Sequence, residues 1–247
     1  MNQRTKGLAQ FLAGAATAGV LAVGLHLVRQ WQSLPPRGQP GGGDAAIPEP
    51  YIATHLAILE RERRGPVGVL FLGDSITHGW RDVPWIWDEA FGKYNPCNAG
   101  VIFDRVQTVR WRIEHGELDG IDPQVIVLQI GINNFGLGHE TPRMVAEEIA
   151  GLAADIHARL PRGKVVVLGI FPAIGDQAAK VAETNAVLRP LLTFPNVGFY
   201  QIDGSMSAAD FPDGIHPSPD GYRKLAKALV PIINTMYYAG SGWPPHP

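Results

Sequence analysis

Residues 67–77 read VGVLFLGDSIT, an almost unbroken apolar run that ends in a glycine, an acidic residue and two hydroxyl residues. A continuous run of this kind is typical of a parallel strand that is covered on both faces. The polar group follows at the carboxyl end of the strand, which is the edge where open parallel sheets bind their ligands. We therefore interpret Val67–Leu72 as a strand of an α/β fold and Gly73–Thr77 as part of its site.

Similar apolar runs alternate with helical patterns along the rest of the chain. The further predicted strands are Tyr94–Ala99 (the weakest), Val125–Ile130, Val165–Ile170 and Val197–Ile202. The predicted helices are Val106–His115, Pro142–Leu160, Gln177–Leu192 and Pro219–Met236. Because strand and helix alternate, the crossovers should be right-handed, and the fold class is α/β. We expect a three-layer α/β/α sandwich around a mostly parallel sheet of about five strands.

Composition excludes several classes of protein. The chain has 247 residues, of which 45% are hydrophobic and 18% charged, so it can bury a sizeable core. A net charge of −2 supplies no basic field, and we predict no nucleic-acid partner. The single cysteine, Cys97, excludes an intramolecular disulfide and a cysteine-based zinc site.

The N-terminal segment, residues 1–32, is predicted to be a membrane anchor or a signal segment. Gly7–Val28 carries no formal charge and is about as long as a helix that crosses a bilayer, and Arg4 and Lys6 precede it. We favour an uncleaved anchor, because a cleaved apolar region is usually shorter and stops at its cleavage site. The positive-inside rule then places an exported catalytic domain on the extracytoplasmic side of the membrane. The alternative is a secreted or periplasmic product after signal cleavage.

The remaining chain divides by composition. Residues 33–50 are rich in proline and glycine and read as a linker. Residues 51–239 form one predicted catalytic domain, and residues 240–247 form a short flexible tail.

Four polar groups follow predicted strands and should meet at one edge of the sheet. They are Gly73-Asp74-Ser75, Asn98-Ala99-Gly100, Gly131-Ile132-Asn133-Asn134 and Asp213-Gly214-Ile215-His216. Each alone is a common turn, but the four together in this order are hard to obtain by chance.

The combination suits nucleophilic catalysis. A serine needs a base within hydrogen-bond reach, and His216 can take and return the proton of Ser75. Asp213 lies three residues before His216, close enough to fix its tautomer and stabilise the imidazolium. The candidate oxyanion donors are the Ser75 N–H, the Gly100 N–H and the Asn133 side-chain amide.

Two residues next to the candidate site residues are expected to have structural roles. We expect Asp74 to shape the turn before Ser75 and Asn134 to support Asn133. The chemistry needs no cofactor and no metal, so we predict none. The expected substrate is an acyl ester, either a small molecule or a polysaccharide.

Other readings are weaker. An ordinary α/β-hydrolase needs Gly-x-Ser-x-Gly, but position 77 is threonine. The histidines are scattered rather than clustered as metal ligands, and His78 is interpreted as pocket lining or a surface group. A nucleotide enzyme is disfavoured because no phosphate-binding glycine motif is present. An O-acyltransferase, or a binding module without turnover, stays open as an alternative.

These four blocks resemble those of the SGNH or GDSL hydrolases, over Val69 to about Tyr222. Within that family the chain is most similar to the catalytic alpha subunits of intracellular platelet-activating-factor acetylhydrolase. This closer similarity rests on residues 109–113 (VRWRI), 116–118 (GEL), 121–123 (IDP) and 131–134 (GINN). The resemblance implies an esterase with a flavodoxin-like sheet and with Ser75, Gly100, Asn133, Asp213 and His216 as its site residues.

One departure bears on the substrate. The similar branch usually has Gly-Gly where this chain has Ile102-Phe103, between Gly100 and Asp104. A bulky pair beside an oxyanion donor is expected to narrow or reshape the acyl pocket. The branch is also soluble and intracellular, unlike a chain with an anchor, so platelet-activating factor itself is a poor candidate. The oligomeric state is not predicted.

Overall fold

The computed structural model of the chain describes residues 49–136, 140–171, 177–202 and 206–239. The predicted anchor (1–32), all but the end of the predicted linker, and the predicted tail lie outside these ranges, so those assignments stay predictions. Within the described ranges, no helix combines the length and the apolar character that crossing a bilayer requires.

The centre of the described structure is a five-stranded parallel sheet. Its strands are β1 (Val69–Gly73), β2 (Pro96–Gly100), β3 (Val125–Gln129), β4 (Lys164–Leu168) and β5 (Val197–Tyr200). They lie side by side in the order β2-β1-β3-β4-β5. This is the flavodoxin-like order, whose switch point lies between β1 and β3. The prediction of the fold class is confirmed.

The three central strands have no exposed face. Every residue of β1, β3 and β4 is buried. Alternate residues enter two separate cores: Leu70 and Leu72 of β1 pack into one, and Val69 and Phe71 into the other. Two covered faces explain why these strands read as continuous apolar runs rather than as alternating patterns.

Helices cover both faces. They are α1 (Glu49–Arg63), α2 (Ser75–His78), α3 (Pro84–Phe91), α4 (Val106–Glu114), α5 (Ile132–Gly136), α6 (Pro142–Arg159), α7 (Ala178–Leu188) and α8 (Pro219–Tyr238). Helices α1, α4, α6 and α7 contribute to the core on one face, and α3 and α8 to the core on the other. The three layers of the predicted sandwich are therefore present.

Thr141 and Ser218 are the N-caps of α6 and α8. Each of these side chains accepts a hydrogen bond from a backbone N–H of the first turn, and a proline follows each cap. In contrast, α1 and α3 were not predicted. The buried stripe of α1 includes His55 and Glu62 beside its apolar residues, which weakens the helical pattern, and α1 begins at Glu49, two residues before the predicted domain.

Candidate active site

The site is built at the carboxyl ends of β1, β2 and β3. β1 ends at Gly73 and α2 begins at Ser75, with Asp74 as its N-cap. Oδ1 of Asp74 accepts the N–H of Ile76 at 3.0 Å, so this side chain caps the start of α2. Asp74 is completely buried, and burial raises its pKa to about 7.

The structure brings together the three residues predicted to be catalytic. The Ser75 hydroxyl lies 2.8 Å from Nε2 of His216. Nδ1 of the same ring lies 2.6 Å from Oδ2 of Asp213. The other oxygen of Asp213 accepts the N–H groups of Ile215 (2.9 Å) and His216 (2.7 Å), so the carboxylate is held while it orients the ring. This is the hydrogen-bond chain of a serine nucleophile, its base and an orienting acid.

The electrostatics favour a protonated imidazole beside a carboxylate. Burial alone would lower the pKa of His216, but the hydrogen bond and the charge of Asp213 raise it above its usual 6.5. Burial alone would raise the pKa of Asp213, but its hydrogen bonds to His216 bring it down to about 2. The pair is therefore suited to hold a proton taken from Ser75.

A contact between α2 and α8 fixes the serine relative to the histidine. Tyr222, on the first turns of α8, donates its hydroxyl to the carbonyl of Ile76 at 2.8 Å. The same ring approaches Gly79 so closely that a Cβ on that glycine would lie 2.1 Å from the tyrosine oxygen. Since His216 lies three residues before the start of α8, this contact helps to hold His216 beside Ser75.

Asn133 and Asn134 both bind the segment that leads from β2 into α4. The Asn133 side chain is buried and donates from Nδ2 to the carbonyl of Asp104 at 2.9 Å. An amide nitrogen carries two protons, so this bond leaves one N–H for another acceptor. Oδ1 of Asn134 accepts the N–H of Val106 at 3.2 Å. Asn134 thus holds the start of α4 beside Asn133.

Gly100 lies against α2, but its N–H already has an acceptor. An added Cβ at Gly100 would lie 2.2 Å from the backbone nitrogen of His78, so only glycine fits there. The Gly100 N–H donates to Oδ1 of Asn98 at 2.9 Å, and Nδ2 of Asn98 donates to the carbonyl of Thr77 at 2.9 Å. The Gly100 N–H can therefore bind an oxyanion only if the Asn98 side chain moves away, or if the N–H donates to both acceptors at once.

His78, the other histidine near the serine in sequence, belongs to a different group of contacts. Its Nδ1 lies 3.2 Å from the carbonyl of Gly100, and Arg81 donates to the same carbonyl and to that of Asn98. These contacts cover the outer edge of β2. The described residues contain no cluster of three potential ligands that could hold a metal ion, and the absence of a cofactor stays a prediction.

Sequence reasoning missed the parts played by Asn98, Asp104 and Arg112. Asn98 lies in β2, within the polar group at its end, and Asp104 lies in the loop that follows; the sequence does not show which atoms either side chain binds. Arg112 does carry one, because it lies three residues after Val109 and six after Val106, on the stripe of α4 that faces the core. A charged residue on such a stripe predicts buried carboxylate partners.

Comparison with known proteins places this geometry in a family. The model of the GDSL-like lipase/acylhydrolase family matches residues 71–224, which include Ser75, Asn133 and His216. The chain belongs to this GDSL family. Human platelet-activating factor acetylhydrolase IB subunit alpha2 is 34% identical over 181 residues, which cover 67% of this chain and 75% of the relative.

Solved structures of other proteins share the fold of this chain. A GDSL-like lipase from Bacteroides thetaiotaomicron aligns with a TM-score of 0.58 at 19% identity, covering 76% of this chain and 97% of the other. A carbohydrate esterase family 3 protein from Talaromyces cellulolyticus aligns with a TM-score of 0.56 at 21% identity, covering 70% and 100%. These likenesses bear on the fold. The family match makes the chain a hydrolase of the GDSL acylhydrolase class.

Proposed function

We propose that the chain is a serine esterase that hydrolyses a short acyl ester through an acyl-enzyme on Ser75. The observation that carries this proposal is the continuous hydrogen-bond chain from Ser75 through His216 to Asp213. It lies at the carboxyl edge of the sheet, where the Asn133 amide and the N–H of Ser75 also lie. A serine in a structural turn needs neither a base at 2.8 Å nor a carboxylate behind that base.

In the first step, Oγ of Ser75 attacks the carbonyl carbon of the ester while Nε2 of His216 takes its proton. A bond forms between Oγ and that carbon, and the carbonyl oxygen becomes an oxyanion. Asn133 and the N–H of Ser75 donate to this oxygen; the Ser75 N–H is suited to this because the first amides of a helix have no partner inside the helix. His216 then protonates the leaving alcohol, the bond to that alcohol breaks, and the acyl group remains on Ser75.

In the second step, a water molecule attacks the acyl carbon while His216 takes one of its protons. The tetrahedral intermediate collapses, the bond to Oγ breaks, and His216 returns the proton to Ser75. The free acid leaves and the enzyme is restored. Asp213 stays ionised throughout, which its pKa of about 2 supports.

The pH dependence of the reaction tests the part given to His216. Only the neutral ring accepts a proton, so kcat/KM should fall as pH drops through a pKa above the usual 6.5 of histidine. Asp213→Asn removes the charge that raises this pKa, so the fall should move to lower pH, with kcat reduced about 10²- to 10⁴-fold. The measurement is kcat/KM from pH 5 to 9 for both proteins. An unchanged acid limb in Asp213→Asn would contradict the assignment.

The size of the acyl group is expected to be small. Ile102 and Phe103 lie just beyond the end of β2 at Gly100, after Val101, and Ile102 is 39% exposed. Phe103 has a φ of +67°, a backbone conformation that favours glycine, so a bulky side chain is held there at a cost in strain. The human relative described above is named an acetylhydrolase, which also supports a short acyl group.

A series of p-nitrophenyl esters from acetate to decanoate tests this expectation on the purified protein. We expect kcat/KM to fall about 10- to 100-fold between acetate and octanoate, since an acyl chain that exceeds its pocket by a single methylene group already costs about 1–3 kcal/mol. The double variant with Ile102→Gly and Phe103→Gly should show a weaker dependence of kcat/KM on acyl chain length. The control is Phe194→Ala, because Phe194 is 40% exposed but precedes β5, at the opposite edge of the sheet. A wild-type preference for long chains would refute the short-acyl proposal.

A further inference from the structure

A completely buried arginine lies behind the site. Arg112, on α4, has no exposed surface, and a buried charge is tolerated only when it is fully paired. Its Nε and Nη2 donate to Oδ2 of Asp104 at 3.0 and 2.7 Å, and Nη1 forms an ion pair with Glu117. Nη2 also donates to the carbonyl of Ala99 at 3.1 Å. The guanidinium therefore joins two loops and the end of β2.

Helix α1 completes this group from the other side. The Tyr51 hydroxyl donates to Oδ1 of Asp104 at 3.0 Å, and Nδ1 of His55 lies 2.9 Å from Oε1 of Glu117. We call Tyr51, His55, Asp104, Arg112 and Glu117 the Arg112 cluster. All five side chains are buried, and each carboxylate is held both by the arginine and by a residue of α1.

Two backbone groups connect the Arg112 cluster to the oxyanion donors. The first is the carbonyl of Asp104, which accepts the hydrogen bond from Nδ2 of Asn133. The second is the carbonyl of Ala99, which belongs to the same planar peptide group as the N–H of Gly100. Fixing that carbonyl fixes the direction of the N–H. Arg112 therefore contacts Asp104, the partner of Asn133, and the peptide group that carries the Gly100 N–H, without touching the reacting atoms.

We propose that Arg112 is a positioning residue of the oxyanion hole, acting through Asp104 on Asn133. The inference rests on the proposed function, since it assigns a task within that reaction. Oxyanion donors act when charge develops in the transition state, so misplacing them lowers kcat more than it changes KM. A purely structural arginine would instead lower the stability of the fold. Less folded enzyme lowers the apparent kcat and leaves KM unchanged, so each kcat is calculated per folded enzyme, with the folded fraction measured by circular dichroism.

A double-mutant cycle with Asn133 separates these two roles. Arg112→Lys keeps the charge but cannot reproduce the forked contacts to Asp104, Glu117 and Ala99. We expect kcat to fall about 10- to 100-fold, as small misplacements of catalytic groups do, with KM changed less than about threefold. Asn133→Ala should lower kcat about 10²- to 10³-fold.

The decisive measurement is the loss of kcat in the double variant that combines Arg112→Lys with Asn133→Ala. If Arg112 acts through Asn133, the fold-loss of kcat in the double variant should be smaller than the product of the two single fold-losses, by a factor of about five or more. Residues that act through each other do not have additive effects. If the double variant loses the full product, Arg112 acts independently of Asn133 and the inference is overturned. Arg110→Lys is the matched control on the same helix, since its arginine pairs with Asp155 on the surface and should leave kcat unchanged.

Circular dichroism and thermal melting show whether Arg112→Lys folds. If it does not, Tyr51→Phe tests the same inference with a smaller change. Tyr51→Phe removes one hydrogen bond to Asp104 and keeps the ring. It should lower kcat about three- to tenfold, in line with one hydrogen bond. This loss should also be less than multiplicative with that of Asn133→Ala. A fully multiplicative loss here would overturn the inference as well.

The Ser75→Ala protein separates a failure of this inference from a failure of the proposed function. If hydrolysis depends on Ser75 but the cycles are multiplicative, only the positioning role of Arg112 is wrong. If hydrolysis persists without Ser75, the proposed function is wrong and the positioning role falls with it.

Discussion

Ser75→Ala should lower kcat for p-nitrophenyl acetate about 10⁴- to 10⁶-fold, because removing the nucleophile leaves only binding and the oxyanion donors to assist the reaction. The substituted side chain is small and lies at the first position of α2, where alanine is a good helix former, so the fold should be unaffected. Steady-state hydrolysis and the thermal unfolding temperature, measured on the same preparations, provide the comparison.

The matched control is Ser207→Ala. Ser207 is exposed, and its hydroxyl donates to Asp210, which is not part of the Ser75–His216–Asp213 chain, so this variant should keep wild-type activity. A fluorophosphonate should label the wild type and Ser207→Ala at Ser75 but leave Ser75→Ala unlabelled. More than about a tenth of wild-type kcat in Ser75→Ala would rule out covalent catalysis through this serine.

Gly100→Ala should also have a large effect, because it acts on both packing and catalysis. The new Cβ would lie 2.2 Å from the nitrogen and 2.7 Å from the Cα of His78, and 2.6 Å from the carbonyl carbon of Thr77. These are backbone atoms, so the end of β2 must move away from α2. We expect a loss of about 1–3 kcal/mol in the free energy of unfolding, as for other overpacked sites. The displaced donors should lower kcat about 10²- to 10³-fold.

Gly92→Ala supplies the control for glycine replacement. Nothing lies within 4 Å of a Cβ at Gly92, and its φ of −50° suits any residue. This variant should keep full activity and be as stable as the wild type or up to about 1 kcal/mol more stable. Wild-type kcat in Gly100→Ala would show that neither the close approach to α2 nor the position of this peptide matters for the reaction.

Much of the scaffold could be predicted because its signals are local. β1, β3 and β4 are covered on both faces and therefore read as uninterrupted apolar runs. Since parallel strands end at one edge, the polar groups that follow them had to meet, and Ser75 and His216 do meet at 2.8 Å. Helix boundaries differ from prediction by a few residues, as at α7, which ends at Leu188 and continues as a short 3₁₀ turn over Arg189–Leu191.

The finer arrangement of the site depends on tertiary contacts that leave little trace in sequence. The Gly100 N–H donates to Asn98 because the same side chain is held by Thr77 on a neighbouring element. The partners of Arg112 come from two loops that α1 closes, and α1 itself has too weak an apolar pattern to be predicted. The acidic residues near Arg112 in sequence do not reveal which of them reach it.

The link between Ser75 and His216 joins residues 141 positions apart along the chain. A ribosome completes Ser75 long before His216, and domains fold as their segments emerge. Throughout that interval the serine has no base and reacts no faster than an ordinary alcohol. The nascent polypeptide therefore hydrolyses no ester in the compartment where it is made. Esterase activity arises only when α8 packs against the sheet and His216 reaches Ser75.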